Sequence, residues 1–177
     1  MVTTKKAVGA IVRHLGFDPP RTSAVARRLT EAGVLPSGAP KTPPVLDVEH
    51  VLSLIIGSAL DVPLRAVADC VRQYLTMPPG GANLDGAPDC IPRTAGDALE
   101  IWCDIAIHGA GDLLRRDVIT VVAAWPEVVI RDGDKARRFV PAGELAAHWR
   151  ERGHRKAVEI SGAALVDCVR ALFTEKK

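Results

Sequence analysis

The residues best suited to chemistry are the cations near the amino end and the hydroxyls between them: Lys5, Lys6, Arg21, Thr22, Ser23, Arg27, Arg28 and Lys41. Ammonium and guanidinium groups neutralise phosphate. Hydroxyls on the same stretch hydrogen-bond phosphate oxygens or base edges, so the cluster suits a polyanion. A second basic group, Arg137, Arg138, His148, Arg150, Arg152, His154, Arg155 and Lys156, is either a further phosphate-binding surface or a solvated rim. Catalytic chemistry has no comparable footing. There is no Gly-rich phosphate loop ending in Lys-Ser/Thr, no Gly-x-Ser-x-Gly elbow and no His-Glu-x-x-His. Cys103 and His108 stand five apart, and Cys70, Cys90 or His50 would have to complete a ligand set. Buried thiols and a helix-end histidine explain them more simply. Asp85, Asp89, Asp97, Glu100 and Asp104 have no spacing specific to a metal. No catalytic residue, no metal and no cofactor is expected, and the protein reads as a non-enzyme.

The formal net charge of +2 conceals opposed blocks: +5 through Leu46, −6 from Asp47 to Asp117, and +3 from Val118 onward. The basic excess therefore coincides with the first cluster of cations. With 47% apolar and 25% charged residues over 177 positions, the chain can bury a real core without disulfides, as one domain or two small ones. The four cysteines are widely separated and form no C-x-x-C. No apolar run is long enough to cross a bilayer, and the first residues lack an export signal, so a cytoplasmic protein with no membrane association is expected. Aromatic residues make up only 4%, which leaves little material for base stacking and favours duplex over single-stranded nucleic acid.

The elements that would position these residues follow from periodicity. Thr3 or Thr4 caps a first helix with Val8, Ile11, Val12 and Leu15 on one face, ended by Gly16. Asp18 followed by Pro19 and Pro20 starts a second, which runs to about Ala32. Val25, Leu29 and Ala32 face inward, and Ser23, Arg27 and Thr30 outward. Leu35 to Val45 is a loop or short wing. A third helix after Asp47 and a fourth from Asp61 form an αα-hairpin. Its broad apolar faces need covering by the first two helices or by a second subunit. Residues 77–93, rich in Pro and Gly, read as a linker or arm between a helical unit, 1–76, and a second unit, 94–177. The second unit holds a helix after Thr94, with Leu99, Trp102, Ile105 and Ala106 on one side. Strands follow over Val118 to Trp125, Glu127 to Arg131, Ala136 to Val140 and Lys156 to Ile160, with an Asp132-Gly133 turn. A short helix over Gly143 to Arg152 and a last one after Ser161 complete it. The apolar run Val118 to Trp125 is too continuous for periodicity to choose between strand and helix. Trp102, Trp125 and Trp149 read as core or interface anchors. The fold class is α+β, with a small antiparallel sheet carrying helices on one face.

The stretch Lys5 to Pro36 resembles a winged helix-turn-helix. The likeness rests on the helix ending at Leu15-Gly16, the short turn, the Thr/Ser/Arg-bearing second helix and the Ala32-Gly33-Val34-Leu35 exit. The layout is similar to that of phage or prophage proteins, small terminase subunits and phage regulators, which join a DNA-binding unit to an oligomerising body. That resemblance implies sequence-specific duplex-DNA binding for DNA packaging or transcriptional control. Arg21, Thr22, Ser23 and Arg27 would meet bases or phosphates, and Arg28, Lys5, Lys6 and Lys41 would close on the backbone. It also implies a homo-oligomer. The alternative is a phage-type inhibitor or adaptor whose acidic middle meets a protein partner.

Overall fold

The computed structural model describes residues 1–39, 42–144 and 153–174. Lys41, His148, Trp149, Arg150 and Arg152 lie outside the described residues, as does most of the short helix expected over Gly143 to Arg152. The fold is α+β. Helix α1 (Thr4–Leu15) is capped by Thr3, whose hydroxyl accepts from the Lys6 amide, and ends at Gly16 in the left-handed conformation. Helix α2 (Pro19–Glu31) is capped by Asp18 and carries Pro19 and Pro20 in its first turn. Asp47 and His50 form a reciprocal cap on α3 (Val48–Ala59), and Thr94 and Asp97 form one on α5 (Ala95–His108). Helix α4 (Val67–Leu75) does not begin at Asp61. Pro63 leads into a 3-10 turn, Leu64–Ala66, and the exposed Asp61 pairs instead with Lys156, which holds its carboxyl below the usual range.

The expected interior of the αα-hairpin is present, but its cover differs. Every residue from Val51 to Leu60 is buried, and α3 packs against α2, α4 and also α5. No second subunit is needed to cover it. Ala32, expected inside, is exposed at the end of α2. On α5, Leu99, Trp102 and Ala106 face the core, while Ile105 points outward.

A 3-10 segment, Gly111–Arg116, leads from α5 to the sheet. Strands β1 (Val118–Val122), β2 (Glu127–Asp132), β3 (Lys135–Phe139) and β4 (Ala157–Ser161) lie antiparallel in the order β3-β2-β1-β4, followed by α6 (Gly162–Phe173). The open question over Val118 to Trp125 resolves as strand through Val122, because β1 is central. It pairs residue by residue with β2 on one side and β4 on the other. Ile119, Val121, Val128, Ile130, Phe139 and Ile160 point to the helices. The alternate residues Thr120, Val122 and Val129 are also buried, on the opposite face.

One continuous apolar cluster runs from Val2 to Val169. It spans the helical unit, 1–76, and the second unit, 94–177: α1 packs on α6, and α3 and α4 pack on α5. The segment 77–93, expected as a linker or arm, is fastened at several points. Met77 is buried, the Gly80 amide donates to the Arg138 carbonyl, and the Gly143 amide donates to the Gly81 carbonyl. Arg93 gathers the carbonyls of Leu84 and Ala87 within the loop. The proline and glycine content signals turns, and these turns are tied to the edge of β3. Among the described residues no helix is long and apolar enough to cross a membrane.

The cysteines give a check on this packing. Burial pushes the thiols of Cys103 and Cys168 up to about 12, whereas Cys90 is exposed and Cys70 half-buried. Since the thiolate is the nucleophile, the two core thiols are protonated at neutral pH and shielded as well. A chromogenic thiol titration at pH 8 is expected to modify Cys90 quickly, Cys70 more slowly, and Cys103 and Cys168 only after denaturation. Four equally fast thiols would contradict the core described.

Candidate nucleic-acid interface

The structure separates the predicted amino-terminal contacts into three groups. Thr22 is fully buried, and its hydroxyl donates to the Asp18 carbonyl at 2.9 Å, so it cannot reach a ligand. Its position three residues before Val25 puts it on the inner stripe of α2. Arg21 is half-buried, and its guanidinium donates to the carbonyls of Leu60 and Val62 at 3.0 and 2.6 Å. It fastens α2 to the turn after α3. Lys6 sits on the other flank of α1 and donates to the Met1 carbonyl.

Lys5, Ser23 and Arg27 do come together. With Thr4, Val8, Ala26 and Thr30 they line an open groove of about 460 Å³ between α1 and α2. The three-residue turn Gly16-Phe17-Asp18 sets the two helices side by side, and the groove floor consists of the small side chains that this contact allows. Among the described residues no carboxylate lines it. Arg27, with 74% of its side chain exposed, and Arg28 both touch Glu31, at 3.2 and 2.7 Å. Exposed pairs of this kind contribute ~0–1 kcal/mol, so Arg27 can exchange Glu31 for a phosphate at little cost. Thr4 is a lining residue that the sequence suggested only as a cap, and Thr30 one it placed merely outward.

The end of α2 is less receptive than a helix amino terminus usually is. Pro19 and Pro20 lack amide protons, and the Asp18 carboxylate already accepts from the Arg21 amide at 2.8 Å. An anion at this end would meet a carboxylate rather than free N–H groups. Beyond α2 the chain turns at Leu35, forms a bridge between Ala39 and Thr42, and returns at Leu46, whose amide donates to the Val2 carbonyl. Leu35 and Leu46 are buried, so this exposed loop is anchored at both feet.

No family model, curated protein or solved structure matches the chain. Its own geometry is what bears on function. Among the described residues no three His, Cys, Asp or Glu side chains gather to hold a metal ion.

The second basic group is largely committed to internal contacts. Glu127 is fully buried, yet it accepts from Arg138 at 2.6 Å, from Arg155 at 3.4 Å and from the Trp125 indole at 3.2 Å. Lys156 is paired with Asp61. Of the expected second surface, Arg137 on β3 and His154 are exposed, as is Lys156, whose pair with Asp61 lies at the surface. A carboxylate within a β-branched strand, Glu127 to Arg131, was the signal that nearby cations would be needed inside.

Proposed function

We propose that the protein binds duplex DNA along the groove between α1 and α2, as a binding protein rather than an enzyme, in the packaging or transcriptional role that its layout resembles. The observation that carries this reading is the convergence of Lys5, Ser23, Arg27 and Thr30 on one open groove that no carboxylate lines among the described residues. A helix, a short turn, a second helix and a projecting loop are the parts a winged helix-turn-helix uses. Because Asp18, Pro19 and Pro20 close the end of α2, the phosphate backbone meets the flank of the helix pair, with Lys5 and Arg27 as its two cations. Ser23 supplies a hydroxyl donor between them, while the Thr30 hydroxyl donates to the Ala26 carbonyl at 2.9 Å and offers only its lone pairs.

Fluorescence anisotropy with a mixed-sequence duplex tests it. Binding at low salt that weakens steeply as salt rises is expected. The Lys5→Ala/Arg27→Ala variant should bind about tenfold or more weakly, with the salt slope reduced by about 2. Arg21→Lys, by contrast, should act on stability. The absence of binding at low salt, or affinity unchanged in the double variant, overturns the reading.

A further inference from the structure

A depression of about 830 Å³ lies on the other flank of α1, walled by α6 and by the chain entering α3. Its α1 wall is basic, with Lys6, Arg13 and His14. Its floor is apolar: Val45 is 52% exposed, and Leu172 and Phe173 are only half-buried. Asp47 stands on the opposite rim and begins an acidic cluster with Glu49, Asp97 and Glu100. These four are close enough that burial and the other three charges together raise the Glu100 carboxyl above its usual range. Beside Glu100, Ile101 is 50% exposed. Among the described residues none of Lys6, Arg13, Glu49 and Glu100 has an ion-pair partner within the chain. The surface therefore runs from basic, through apolar, to acidic.

We propose that this surface is a two-fold interface with a second copy of the chain, in which the Lys6 and Arg13 wall of each protomer faces the Glu49 and Glu100 cluster of the other. A two-fold axis reverses the direction of the patch, so that each end meets its opposite and the apolar centres meet one another. An acidic peptide would satisfy only the basic half. A second copy compensates both ends at once, including Glu49 and Glu100, which have no ion-pair partner among the described residues. The apolar middle supplies the buried area that charged rims do not.

Sedimentation velocity of the full chain without DNA, from about 1 to 100 µM, tests the interface separately from the nucleic-acid reading. A concentration-dependent dimer is expected. Lys6→Glu/Arg13→Glu and Glu49→Lys/Glu100→Lys should each raise its Kd by about a hundredfold or more, since like charges then face each other. Mixing the two variants should restore a heterodimer. All four residues are exposed, and circular dichroism melts confirm folding. Should a reversal prevent folding, Val45→Asp at the centre takes its place and is expected to give a monomer. A wild-type chain that stays monomeric overturns the proposal and leaves the depression to another molecule. A dimer that survives both reversals overturns it too, because it uses another face.

Discussion

Glu127→Ala is expected to lower stability by about 3 kcal/mol, read as a shift in the urea midpoint with an unchanged slope. Glu127 is fully buried at the start of β2, and its two oxygens hold Arg138 of β3, Arg155 of the chain entering β4 and the Trp125 indole in the turn between β1 and β2. Removing it strands two guanidinium groups and an indole N–H. Breaking a buried pair by deleting one partner typically costs about 3–5 kcal/mol. The lower end applies because the Arg138 and Arg155 side chains keep 30% and 24% of their surface exposed and can turn outward in part. Arg155 Nε has no partner among the described residues even with Glu127 present. Glu127→Gln retains an acceptor but loses the charge, and should fall between wild type and alanine. A midpoint for Glu127→Ala equal to that of the wild type would show that the network contributes nothing to holding the sheet together.

Gly57→Val is expected to be at least as damaging, by about 3 kcal/mol or more, or to yield insoluble protein. Gly57 sits in α3 where α2 and α4 come nearest. A Cβ added there would stand 2.8 Å from Val25 Cγ1, 3.2 Å from Val71 Cγ2 and 3.3 Å from Val67 Cγ2. Overpacking a tight core costs about 1–3 kcal/mol for modest excess volume. Valine adds three carbons at a crossing built for none. Gly57→Ala should be much milder, because replacing a helical glycine returns about 1 kcal/mol of helix propensity against the strain of one methyl. Pairing Gly57→Ala with Val25→Ala is expected to relieve the closest contact. Thermal melts of the variants give the ranking, and Gly57→Val as stable as Gly57→Ala would refute the crossing geometry.

What the sequence disclosed depended on how local the chemistry was. The caps at Thr3, Asp18, Asp47 and Thr94 were legible because a side chain binds an amide three residues on, and no distant part of the chain enters into it. The strands were legible from β-branched runs and the Asp132-Gly133 turn. The fastening of 77–93 was not legible, because proline and glycine report backbone shape, not what the turns are fastened to. Its attachments, at Arg138 and Gly143, lie 58 and 62 residues or so from its own glycines. Within the candidate groove, Ser23 and Arg27 followed from the helical phase of α2. Arg21 could not be placed, because its partners are carbonyls 39 and 41 residues away. Thr22 was open to correction from spacing alone. The joint burial of Glu127, Arg138 and Arg155 needed the strand order, which no local pattern supplies.

The packing of α1 against α6 has a consequence in time. In synthesis, residues 4–15 leave the ribosome well before their partner, residues 162–173. The α6-facing side of the first helix therefore stays uncovered until residues 162–173 have been made, and this long-range contact puts a late step into folding. The contact between α1 and α2 is local, across the turn Gly16-Phe17-Asp18, and needs no such late partner. An unfinished copy thus carries the Lys5 and Arg27 groove while the other flank of α1, with Lys6 and Arg13, still lacks its α6 wall.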